Sequence, residues 1–137
     1  MTDQPTATLL VADDMHVDLT GKFYIFGVYP TDIQIPNEAA TAARLVFIFS
    51  IEGSNQKPFR SLTVEVTLPG SPPQQAQIPL PPNQQLLPGR SKMTVKFPLM
   101  VQVPVLRAGR IKAKVIHDDG EIAVSAPWIV VAAPPSA

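Results

Sequence analysis

Cysteine is absent from this 137-residue chain. That absence excludes a disulfide framework, a thiolate metal centre and a cysteine nucleophile together. Histidine occurs twice, at His16 and His117, so imidazole chemistry has two possible seats. Neither sign of charge is in excess, with 11 basic and 11 acidic side chains, which argues against a general positive field for nucleic acid. Long hydrophobic runs are missing too: no stretch approaches the ~18 apolar residues of a membrane span. The first six residues are polar and acidic rather than the basic head of a secretory signal. A soluble cytoplasmic protein without membrane contact is the expectation. Helical periodicity is also lacking, since no window carries apolar residues at i, i+3, i+4 and i+7.

What the chain does have is alternation. Ala7–Ala12, Phe23–Tyr29, Leu45–Ile51, Leu62–Leu68, Met93–Val105, Ile111–Ile116 and Ile122–Val131 read as strands of period two, separated by Pro, Gly and Asp turns. Phe23–Tyr29 is apolar on both faces and reads as a central strand, with Gly27 marking a bulge or close approach. Asp32–Pro36 is a short extended piece, and residues 37–43 tolerate at most one helical turn. Pro98 is expected to split the Met93–Val105 run, and Pro127 interrupts the final strand. Residues 69–90 hold seven prolines and five glutamines; they read as a long surface connection of polyproline II character, with Gln75–Leu80 laid on an edge. These features predict an all-β, antiparallel two-sheet β-sandwich, immunoglobulin-like in broad arrangement. One domain spans residues 7–131, between a flexible segment 1–6 and a frayed tail 132–137. With 45% hydrophobic residues the chain needs neither metal nor disulfide to build a core.

The neutral total conceals an asymmetry. Residues 1–52 carry seven acids against two bases, 2 − 7 = −5, whereas residues 90–114 carry seven bases and no acid, +7. Compensation between the two regions within one fold accounts for this without a partner; a bipolar surface that orients a partner is the alternative.

Carboxylates surround both histidines. Asp13, Asp14, His16 and Asp18 form one group; His117, Asp118, Asp119 and Glu121 form the other. Oxygen ligands with an imidazole suit hard divalent ions, so Asp13, Asp14, His16, Asp118 and Asp119 are the candidate metal ligands. Aspartate also ends strands by bonding local backbone, and Asp118-Asp119-Gly120 is accounted for by a hairpin turn. There is no Gly-x-Ser-x-Gly elbow and no glycine-rich phosphate loop. No catalytic residue and no cofactor are therefore expected.

Lys92, Lys96, Arg110, Lys112 and Lys114 occupy alternate positions of two strands and are read as a basic stripe across one sheet face. The outward positions beside them, Thr94 and Ile116, are not aromatic, which disfavours nucleic-acid stacking. Pro79-Leu80-Pro81-Pro82 has the spacing of a polyproline docking segment, making Pro79 and Pro82 further interaction candidates. Trp128, the lone tryptophan, reads as core or edge packing.

The block Ala7–Asp14, followed by Gly21-Lys22 and Phe23–Tyr29 with its Gly27-Val28-Tyr29 ending, resembles a family of small uncharacterised bacterial proteins. Their pattern is a strand ending in aspartate, a Gly-Lys turn, and an apolar strand with Gly-Val and an aromatic. Arg107–Arg110, Asp119-Gly120 and the closing apolar strand are similar to that family's ending. Many relatives carry cysteine near position 12, where this chain has Ala12. The resemblance implies a β-sandwich and no particular reaction. Taken together, the chain is expected to be a non-catalytic interaction or structural module, binding an unidentified protein partner or itself. The alternative is a small-ligand or divalent-metal domain using the acidic loops around His16 and His117.

Overall fold

The computed structural model describes residues 4–37, 39–54, 58–80, 92–118 and 120–132. Eleven strands and no helix occur among them: β1 (Thr6–Val17), β2 (Phe23–Val28), β3 (Ile33–Ile35), β4 (Ala39–Ser54), β5 (Leu62–Thr67), β6 (Gln74–Gln77), β7 (Lys92–Arg107), β8 (Gly109–Arg110), β9 (Lys112–His117), β10 (Gly120–Val124) and β11 (Trp128–Val131). They form a four-stranded sheet in the order β2-β1-β4-β7, a second in the order β10-β9-β5-β6, and a three-stranded sheet β3-β11-β8. Pairing is antiparallel throughout except between β11 and β3. No helix among the described residues is long and apolar enough to cross a membrane.

The alternation in the sequence becomes burial. Along β5, Leu62, Val64 and Val66 are buried while Thr63, Glu65 and Thr67 are half-buried. Their buried sides join Phe47, Phe49, Ile51, Val101, Val103 and Val115, so both four-stranded sheets and Ile33, Ile35 and Ile129 of the third contribute to one core. Removing such a stripe of branched and aromatic side chains from water is the main force that holds the sheets together.

Several expectations are corrected. Phe23–Tyr29 is not a central strand: β2 lies at a sheet edge, and Tyr24, Phe26 and Val28 are exposed. The helix-tolerant stretch at 37–43 instead begins β4, because Ala39–Ala43 pairs in register with Arg107–Val103; long-range pairing overrides weak local preference. Pro98 does not split its run. β7 runs unbroken for 16 residues and lies at the sheet edge, where a missing N–H costs no ladder bond. Pro104 falls six residues on, in the same phase, and the two prolines blunt that edge against foreign strands. Asp13 and Asp14 do not end the first strand, which continues to Val17. Gln74–Gln77 does lie on an edge, as β6 beside β5. Residues 81–91 of the proline-rich stretch lie outside the described residues.

β1 changes partner midway. Thr6–Ala12 pairs with β4, and Ala12–Val17 pairs with β2. Val11 faces the main core, yet Met15 joins Val46 and Ile48 on the opposite side of the sheet. Phe23 and Ile25 pack there as well. The β1–β2 hairpin therefore folds over the outer face of its own sheet and builds a second, smaller core.

Candidate binding surfaces

The acidic residues near His16 are dispersed by the fold. Asp13 accepts a hydrogen bond from the Tyr29 hydroxyl at 2.6 Å. Asp14 pairs with Arg44 at 2.7 Å and caps the Met15 amide. His16 meets the Phe26 ring edge-on, centroids 5.4 Å apart. Asp18 closes the hairpin turn, accepting from the Thr20 amide and hydroxyl, the Lys22 amide and the Tyr24 hydroxyl. The Thr20 hydroxyl, then the Lys22 amide, hold the Asp18 carboxyl below its ordinary value.

The described members of the second group have partners of their own. Asp118 accepts from the Arg60 and Ser61 amides at 2.7 and 2.8 Å and from the Ser61 hydroxyl at 3.0 Å. The Arg60 amide leads the causes that lower its pKa. Its role is thus a tie to a loop more than fifty residues away in sequence, beyond the hairpin turn that its neighbours suggest. His117 packs edge-on with Phe59, and Glu121 pairs with Lys114. Asp119 lies outside the described residues. Among the described residues, no three histidine or carboxylate side chains converge to hold a metal ion.

Tyr29 carries the largest titration shift of these groups. Burial first, and then the proton it shares with Asp13, push its phenol up to about 12 from 10.0. The folded state holds this proton more tightly than the unfolded chain. Its contribution to stability is therefore complete below pH 10 and is lost as pH rises through about 12. In an ultraviolet titration, one of the two tyrosines is expected to ionise near pH 12. Tyr29→Phe should delete that step; if the step survives, it does not belong to Tyr29.

The basic residues do not make one stripe. Lys92 and Lys96 sit on β7 and Lys112 and Lys114 on β9, in different sheets. Lys92 pairs with Glu52 at 3.1 Å, a contact that joins the acidic and basic regions of the sequence. Pro79 is exposed after β6; Pro82 lies outside the described residues.

Arg110, Lys112 and Lys114 do come together, and they acquire an aromatic neighbour that sequence spacing conceals. The β11–β8 register sets Trp128 directly opposite Arg110. Asp32 holds the start of β11 by accepting the Trp128 amide at 2.9 Å. Trp128 is 51% exposed, so it belongs to the surface and not to the core. With Glu65, Thr67 and the three bases it lines a groove of about 650 Å³. Lys114 is neutralised there by Glu65 at 3.4 Å and Glu121 at 3.3 Å. The Glu121 hydrogen bond leads the causes that raise its pKa. Neither Arg110 nor Lys112 has an ion pair among the described residues.

No family model matches this chain, and no curated protein matches it.

The groove thus offers two cations of different shape, without ion pairs among the described residues, beside an exposed tryptophan. Arginine presents a planar fork to a carboxylate and stacks on aromatic planes, whereas lysine acts as a point charge. Thr67 stands opposite Lys112 in the β5–β9 register and adds a hydroxyl. This combination suits an anionic ligand that also carries apolar surface.

Proposed function

We propose that this chain is a non-catalytic binding module that takes an acidic segment of a partner protein along the Arg110–Lys112–Trp128 groove. The observation that carries the reading is the placement of a half-exposed tryptophan against two unneutralised cations. Tryptophan and arginine are enriched among the few residues that carry most of an interface's binding energy. The scaffold reading is an immunoglobulin-like two-sheet sandwich, supported by a core shared between the two four-stranded sheets. A cytoplasmic setting and kinship with the small bacterial family belong to the same proposal.

Trp128 is the sole tryptophan, so its fluorescence reports this groove without a label. Titration with a glutamate-rich peptide is expected to shift its emission saturably, with affinity falling as salt rises. Arg110→Glu combined with Lys112→Glu should weaken binding by about a hundredfold or more, because repulsion replaces two attractive contacts. Peptide binding unchanged by the double reversal would rule out the groove.

A further inference from the structure

The outer face of the β2-β1-β4-β7 sheet carries a second cleft, separate from the groove on the other sheets. Registers on either side of β4 align its outward residues into rows. Thr8 pairs with Ser50 and Ser50 with Lys96; Leu10 pairs with Ile48 and Ile48 with Pro98. A polar, cationic row therefore lies directly beside an apolar one. The β1–β2 hairpin folds over them, bringing Phe23 and Ile25 above Leu10 and Ile48. Between hairpin and sheet is a cleft of about 830 Å³, within the ~300–1,000 Å³ range of small-molecule sites. Its walls divide by chemistry: Leu10, Phe23, Ile25 and Ile48 at one end, Thr8, Ser50, Thr94 and Lys96 at the other.

Lys96 decides the sign of the ligand. The acid nearest in the rows, Glu52, is already paired with Lys92, and Lys96 has no ion pair among the described residues. An occupant must set an anionic head with hydrogen-bond acceptors against Lys96, Ser50 and Thr94. Its apolar tail must then lie beneath Phe23 and Ile25. We propose that this cleft binds a single-chain alkyl carboxylate of medium length. The carboxylate accepts from the Lys96 ammonium and the neighbouring hydroxyls. The alkyl chain removes Leu10 from water, which the hairpin alone leaves exposed.

The test is calorimetric titration of the full chain with sodium decanoate below its micelle concentration. Saturable binding at a single site is expected, and decanol is expected to bind about tenfold more weakly for want of the charge-assisted bonds. Lys96→Glu should weaken decanoate by about tenfold or more and strengthen decylammonium, reversing the preference. Arg60→Gln, which removes a cation that does not line the cleft, should leave decanoate affinity unchanged. Leu10→Gln tests the apolar wall separately and should also weaken decanoate. No saturable uptake by the wild-type chain, equal affinity for decanoate and decanol, or undiminished decanoate binding by Lys96→Glu would each overturn the proposal. A groove-binding result with the acidic peptide does not depend on these outcomes, since the two sites lie on different sheets.

Discussion

Phe47→Ala is expected to leave the chain near the limit of its stability. Phe47 is fully buried at the centre of β4. It stands between Val11 of β1 and Leu99 of β7 in register, both members of the main core. Truncation removes most of an aromatic side chain from a close-packed interior and leaves a cavity that the flanking strands cannot close without losing their ladders. Such changes cost about 3–5 kcal/mol, against a total stability of about 5–15 kcal/mol for a domain of this kind. Urea unfolding followed by circular dichroism should show the midpoint moving sharply down with little change in slope. Phe26→Ala is the control: its ring is 50% exposed, and its loss should cost under about 1 kcal/mol. Equal losses at the two positions would show that Phe47 does not occupy the core.

The second large effect is expected at Gly27. Its φ of +68° is a left-handed conformation that costs an L-residue about 1–2 kcal/mol. A methyl group there would also meet the Asp13 side chain, with the Asp13 Cγ only 2.9 Å away. That carboxylate holds the Tyr29 hydroxyl. Gly27→Ala therefore adds the loss or distortion of this hydrogen bond, about 1 kcal/mol. Together these amount to about 2–3 kcal/mol in an unfolding measurement. The damage is local to the β1–β2 hairpin, so hydrogen exchange should rise in Phe23–Val28 before it rises in β4 or β7. If the high-pH tyrosine step and the hairpin amides are both unchanged in Gly27→Ala, the close approach of Asp13 to Gly27 is disproved.

Strands were legible wherever one face is wet and the other dry. β5 is the clearest example: its alternating Leu, Val, Thr and Glu side chains state both the element and its buried face. Even β6, a four-residue edge in a proline-rich stretch, was foreshadowed by proline's confinement to edges. The misreadings share a cause. Phe23–Tyr29 reads as central because it is apolar on both faces, whereas only Phe23 and Ile25 pack against the sheet and Tyr24, Phe26 and Val28 face outward from the edge strand. Apolar character records which side chains can be buried, not whether a neighbour is present to bury them. Pro98 reads as a break because sequence does not reveal which side of a strand lacks a neighbour.

The binding surfaces divide in the same way. Composition excludes thiol chemistry, and strand alternation without helical periodicity marks an all-β chain and sets Arg110, Lys112 and Lys114 on one side of it. Local turn chemistry accounts for Asp18, which holds the Thr20 and Lys22 amides, but not for Asp118, whose amide partners Arg60 and Ser61 lie far away in the chain. Tertiary structure decided everything that depends on strand order: that Lys92 and Lys96 belong to a different sheet from Lys112 and Lys114, that Trp128 stands opposite Arg110, and that Lys96 borders a cleft beneath a folded hairpin. The physical reason is that a strand's own side-chain pattern specifies its faces through nearest-neighbour geometry. Which strands lie beside it is set by contacts between residues far apart in the chain, and those contacts exist only once the core has closed.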